Sequence, residues 1–324
     1  MANEDKRSTL LARLQTAIEL EWSTIPPYMV AILSMKLTAN REAANLIRGV
    51  MIEEMLHMAL VANVLNAVGG TVHIGPDNVP SYPRRLFKDR DVTMNLAPFS
   101  AENVVTFMKF EEPRTSVGEF YRSIVALLEE LDAAGTLFTG DPARQLQENY
   151  YWGAGNQIIP VQDLDSAKKA LDVVIGKGEG AGQHPPFTPE DPLAMAHYYR
   201  FAEIHYQRLY QTGDDPAKPP TGEALPIDYA EVHPIKINPR PGSYAPGTKL
   251  ARLNDAFNSR YTMMLRQLLQ ALTGEPQVLY TAIMNGMHGS TSTALDMMTT
   301  PIADDSDGRT GCPTFEWLEK ASTT

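Results

Sequence analysis

Apolar residues recur at helical spacing from Ser8 to about Leu37, at Leu11, Leu14, Ile18, Ile25, Met29 and Ile32, which predicts a helix with one buried face. The Pro26-Pro27 pair interrupts that pattern and predicts a kink with freed carbonyls just after Glu21, because proline has no N–H and clashes with the preceding turn. A second helix runs from about Arg41 to Val68, with Ile47, Val50, Met51, Met58, Val61 and Leu65 inward and Gly69-Gly70 as its stop. The short link between the two predicts antiparallel neighbours. A long proline-containing excursion follows, then helices over about Ser100 to Glu112, ended or kinked by Pro113, and Ser116 to Ala134. A short helix is expected from Asp165-Ser166 to Gly176, inside an otherwise irregular region, and a longer one from about Asp191 to Gln211. Eight prolines between Gly213 and Gly247 mark a wrap without regular structure, and helices over Lys249 to Leu272 and Pro276 to Met298 close the pattern.

Two antiparallel helices, a long crossover and two more have the connectivity of an all-α, ferritin-like four-helix bundle, with the last helix pair packed outside it. The expected division is residues 1–212 for the bundle, 213–248 for the wrap and 249–324 for a C-terminal helical extension.

The useful polar residues are those on apolar stripes, since a buried charge must be paired, neutralised or metal-bound. Glu19 and Glu21 lie roughly 200° apart on their helix, so only one can face the core. Glu21 takes the slot between Ile18 and Ile25, with Tyr28 on the same stripe. Of the adjacent Glu53 and Glu54, Glu54 is in register with Ile47, Val50 and Val61, and His57 follows one turn later. A Glu-x-x-His pair sets a carboxylate and an imidazole one above the other, able to share one metal or bridge two. Glu53 is then the solvated or hydrogen-bonding member. Glu111 continues the Val104, Met108 stripe; Glu119 competes with it from SVGEFY. On the fourth helix Glu203 has Tyr199, Tyr206 and Gln207 as neighbours, His197 and His205 point elsewhere, and Tyr206 stands where a second Glu-x-x-His would place its histidine.

An inward Glu–His pair also serves as a buried ion pair that fixes register. Several inward carboxylates on different helices favour a cation instead, because their mutual repulsion is otherwise severe. The net charge of −11 over 324 residues argues against a nucleic-acid partner or an anionic membrane, and the single Cys312 leaves any metal to His, Asp and Glu. The carboxylate-rich set suits iron, mononuclear or dinuclear, or manganese, with zinc or copper able to occupy it. No secretory leader is read at the N-terminus and no apolar run approaches the roughly 18 residues of a membrane span, so a cytoplasmic protein is expected. The glycines of GKGEGAG lack the context of a phosphate loop, although Glu179 there is a candidate pocket residue.

The segments IELEWSTIPPY, EEMLHMALVANVLNAVGG, Phe107-x-x-Phe-Glu-x-Pro113, SVGEFY, FTGDPA, VQDLDSA, GEG and HYYRFAEI, with FNSRYTMMLRQLL and GCPTFEW near the C-terminus, resemble the ferritin-like domain of the iminophenyl-pyruvate dimer synthase family. That family includes enzymes of violacein and chromopyrrolate biosynthesis. The chain is far shorter than the violacein-type enzyme and has Trp22 where a histidine often follows the first glutamate. The resemblance implies a non-haem iron oxidoreductase of secondary metabolism, acting with O2 on a small amino-acid-derived or imine substrate. By position it implies Glu21, Glu54, His57 and Glu203 as ligands, with Glu111 beside them. Tyr28 and Tyr199 are the candidate catalytic groups facing metal or substrate. The other function class consistent with the residues is a non-catalytic ferritin-like metal-binding protein; association of identical chains stays open.

Overall fold

The computed structural model describes residues 2–85, 92–112, 116–150, 158–177, 187–191 and 194–319. Helix α1 spans Ala2–Ser34 and turns back through Met35 and Lys36 into α2, Leu37–Ala67, which packs along it. The third rod of the bundle is built in two pieces, α3 (Ala101–Phe110) and α4 (Ser116–Leu131), and so is the fourth, α5 (Leu164–Lys177) and α6 (His197–Tyr206). α3 packs on α6 and α4 on α5, so the two split rods run antiparallel, while α4 also meets α1, and α5 and α6 meet α2. The short helix expected in the irregular region is therefore half of a bundle rod. Its buried stripe of Ala167, Ala170, Leu171 and Val174 is what docks it.

The proline pair does not break α1. Pro27 removes the donor for the Ser23 carbonyl, and the Tyr82 hydroxyl supplies it instead, at 2.7 Å. The Ser23 and Thr24 hydroxyls donate to the carbonyls of Leu20 and Glu21, both at 2.7 Å, in the same turn. α2 departs from helical geometry at Asn40, whose side chain holds the wrap by bonds to the Asp228 carbonyl (3.0 Å) and from the Asp228 N–H (2.9 Å). The wrap is irregular, as its prolines require, yet fastened: His233 N–H donates to the Ser34 carbonyl and Asn238 N–H to that of Leu96.

By length and composition α2 could cross a membrane, contrary to the expectation from the sequence, but its most apolar window is 89% buried inside the protein, as in a core helix. Strands β1 (Arg84–Arg85) and β2 (Thr93–Met94) pair in the excursion before α3. The C-terminal helices lie outside the bundle. α7 (Lys249–Leu272) begins at Thr248, whose hydroxyl accepts from the Ala251 N–H, and it packs against α2. The single helix expected after Pro276 is instead composite: a 3-10 turn (Pro276–Val278), one turn of α8 (Leu279–Thr281), a π-helical segment (Ala282–His288) and α9 (Gly289–Met298), which reaches α1. His288 closes the π-helical segment.

Candidate metal centre

Each rod delivers one part of a buried polar cluster. Glu21 comes from α1, Glu54 and His57 from successive turns of α2, Glu111 from the residue that ends α3, and His197 from the first residue of α6. All five are at most 5% exposed. Their donor atoms form two triads that share Glu54: Glu21, Glu54 and His57, and Glu54, Glu111 and His197, with the ligand atoms of each within 4.8 Å of one another. His57 Nδ1 is 3.5 Å from Glu21 and 3.8 Å from Glu54, while His197 Nδ1 is 2.9 Å from the other Glu54 oxygen and 3.4 Å from Glu111. The two imidazoles stack at 5.4 Å across the shared carboxylate. Ala194, three residues before His197, stands where a second Glu-x-x-His would carry its carboxylate, so Glu54 has no counterpart on α6.

The structure thus gathers Glu21, Glu54, His57 and Glu111 and adds His197, which pattern reading turned away from the core. The break before His197 resets the phase of the fourth rod. Within α6 His197 and Glu203 lie about 120° apart on the wheel, and packing, not the local pattern, turns the His197 side to the cluster. Glu203 does not join the cluster. Its carboxylate, near the other end of α6, accepts the Tyr210 N–H at 2.8 Å, and burial raises its pKa to about 7. Glu119 is exposed on α4, and His205 meets the exposed Tyr206 edge to face. Glu179 and Pro113 lie outside the described residues.

Tyr28 donates to Glu111 at 2.6 Å, and Tyr121 donates to Glu21. Tyr199 goes instead to an aromatic group with Phe187 and Tyr210, at ring distances of 5.0 and 5.6 Å. Glu53 is not solvated. It is buried and accepts from His197 Nε2 at 2.8 Å and from Arg200 at 3.0 Å, with Lys177 3.7 Å away. Arg200 is 1% exposed and lies over Gly49, where a Cβ would stand 3.2 Å from its guanidinium. With Nε2–H held by Glu53, the Nδ1 lone pair of His197 is turned to Glu54 and Glu111, the arrangement by which an outer carboxylate fixes a ligand histidine.

Burial alone would raise the Glu53 carboxyl, but the hydrogen bond and charge of His197, with Arg200 and Lys177, outweigh it and hold the group at about 2. Burial and then the Glu54 charge push Glu21 up to about 8, and burial raises Glu111. Glu54 is held below the usual range against burial by the adjacent imidazoles of His197 and His57, and His57 is lifted against burial to about 9 by Glu21 and Glu54. His197 likewise rises well above its usual value, against burial, chiefly through Glu111. Without a cation, protons must therefore balance the three inner carboxylates.

The donor set fits a metal. Both nitrogens of His57, Nδ1 of His197 and Oε2 of Glu111 are buried without a hydrogen-bond partner, because their neighbours are too distant or misaligned. Carboxylate oxygens and imidazole nitrogens are hard-to-borderline donors for first-row metals.

Four helical rods around a buried carboxylate–histidine cluster define a ferritin-like protein. The chain belongs to the ferritin-like family, whose model matches residues 14–206. It is similar to a dichlorochromopyrrolate synthase from Lentzea aerocolonigenes, 25% identical over 84% of this chain and 29% of the relative. It is also similar to a 2-imino-3-(indol-3-yl)propanoate dimerase from Chromobacterium violaceum, 24% identical over 67% of this chain and 25% of that protein. The chain thus spans between a quarter and a third of the length of these relatives. A crystal structure of a ferritin-like protein from Caulobacter vibrioides shares the fold with a TM-score of 0.58 and 22% identity, covering 88% of this chain and 93% of that one.

Proposed function

We propose that the protein is a non-haem metal oxidoreductase that uses O2 on a small amino-acid-derived imine, with two iron ions held by Glu21, Glu54, His57, Glu111 and His197. The observation that carries the metal reading is the pair of triads sharing Glu54, with imidazole nitrogens buried and unpartnered inside them. The name of one relative, a 2-imino-3-(indol-3-yl)propanoate dimerase, supports the imine substrate class. The buried Cys312, free among the described residues, and the acidic charge are consistent with a cytoplasmic setting.

A redox metal bound there would supply one-electron chemistry and an open coordination position for oxygen. The protein's share is electrostatic and positional. Glu54, common to both triads, would hold the metal with either histidine, Glu53 fixes the His197 tautomer, and Tyr121 and Tyr28 orient the outer oxygens of Glu21 and Glu111. Phe107 and Phe201, packed against Tyr28, keep water from that side of the cluster.

The test is anaerobic reconstitution with ferrous iron, followed by oxygen consumption with and without aryl-pyruvate imines made in situ. Retained iron and imine-dependent oxygen uptake are expected. Iron that mineralises at the same rate without substrate would leave a non-catalytic metal-binding protein, and failure to retain iron would end both readings.

A further inference from the structure

A cavity lies between the α1–α2 pair and the C-terminal helices. Its volume is about 330 Å³, and it is walled by Trp22 and Met29 of α1, Met58 of α2, Tyr261 of α7, Met287 of the π-helical segment and Phe315. None of the five cluster residues lines it. Trp22 and Glu21, like Met58 and His57, are neighbours about 100° apart on their helices, so one of each pair reaches the cavity and the other the cluster.

Three features give this chamber the character of a ligand site. Its volume is about twice that of the roughly 150 Å³ apolar cavity known to take up benzene, which leaves room for two fused rings. Six methionines line it, flexible and polarisable enough to close on the faces and edges of an aromatic system. Among the described residues no carboxylate, lysine or arginine lines it, so a charged occupant would have only His288 to offset its lost hydration.

Its polar side chains are Tyr150, Tyr261, Tyr280, His288 and Ser290, beside the Trp22 N–H. Trp22 Nε1–H donates to the Tyr261 oxygen at 3.0 Å. An indole N–H can only donate, so the phenol oxygen is the acceptor there and its own hydrogen remains available to a ligand acceptor. The mouth is marked by Tyr280 and Met284, 56% and 40% exposed. Between them runs the π-helical segment, a local geometry that recurs at functional sites. Gly286 lets this segment approach α7: a Cβ there would stand 2.3 Å from the Met264 side chain.

We propose that this chamber binds a neutral, flat aromatic molecule of about two fused rings carrying a hydrogen-bond acceptor, at a site separate from the carboxylate–histidine cluster. The acceptor takes the Tyr261 hydroxyl hydrogen, and the rings lie among the methionines. The proposal rests on the chamber alone and does not require the metal reading.

Quinoline and naphthalene are matched probes, with and without an acceptor, and quinoline-4-carboxylate adds a charge. Calorimetry on the full chain, with naphthalene measured by competition, should show one quinoline site per chain, naphthalene weaker by about fivefold and the carboxylate far weaker. Tyr261→Phe should erase the preference for quinoline while keeping naphthalene binding, Met287→Trp should block both by filling the space, and Glu54→Ala should leave both unchanged. No saturable quinoline binding by folded wild-type protein would overturn the proposal. So would a preference that survives Tyr261→Phe, or loss of quinoline binding in folded Glu54→Ala. If Met287→Trp fails to fold by circular dichroism, the Tyr261→Phe ratio decides by itself.

Discussion

Replacing Glu53 with alanine removes the only carboxylate within ion-pairing distance of Arg200 among the described residues, in a place where neither group is solvated. Glu53 accepts from Arg200 at 3.0 Å and from His197 at 2.8 Å, and Lys177 stands 3.7 Å off. Breaking a buried pair by deleting one partner typically costs about 3–5 kcal/mol, because the remaining charge stays desolvated. Arg200 keeps its two bonds to the Met195 carbonyl, at 3.0 and 2.9 Å, which places the expected loss near the lower end, about 3 kcal/mol. Glu53→Gln retains an acceptor for His197 but not the charge, and should lose roughly half as much. Urea unfolding of metal-free protein measures both. The same substitution frees the His197 ring, so metal affinity should fall by about 10–100-fold, as it does when outer-shell partners of ligand histidines are removed. A stability loss below about 1 kcal/mol, the range of exposed pairs, together with unchanged metal affinity, would refute the role assigned to Glu53.

Glu203 should give the fold a pH dependence unrelated to the metal. Its carboxyl rises on folding from 4.5 to about 7, so the folded chain binds the extra proton and stability falls as pH climbs from 4.5 to 7, by at most about 3 kcal/mol. Glu203→Gln should flatten that slope in urea titrations across pH 5 to 7; an unchanged slope would show that Glu203 is not its source. Tyr82→Phe leaves the Ser23 carbonyl without the donor that replaces the one lost to Pro27, and a loss of about 1–3 kcal/mol in thermal or urea unfolding is expected. Iron-loaded protein should melt above chelator-treated protein, by the equivalent of about 2.7 kcal/mol when free iron is at a hundred times its dissociation constant, and Glu54→Ala should abolish that difference.

The helical periodicities of α1, α2, α3 and α7 were legible because each carries a continuous apolar stripe, and the same stripes singled out Glu21, Glu54, His57 and Glu111 as misplaced polar residues. A stripe fixes direction only while the helix is unbroken. That condition fails on the fourth rod, which is made of two helices, α5 (Leu164–Lys177) and α6 (His197–Tyr206). Local sequence could not set the rotation of α6, and so it favoured Glu203 over His197.

The role of Glu53 was hidden for a related reason. Beside Glu54 on the wheel it faces another way, and nothing local says that Arg200, His197 and Lys177 arrive there from the fourth rod. The continuity of α1 through two prolines likewise depends on a hydroxyl from Tyr82, more than fifty residues away in sequence. By itself the sequence determined which helices exist and which polar side chains their own apolar faces force inward, because both follow from periodicity over a few turns. Only the tertiary structure decided how the rods are rotated, which charges meet, and that a methionine-walled chamber stands between the α1–α2 pair and the C-terminal helices, because those depend on contacts between segments whose phase no local pattern carries.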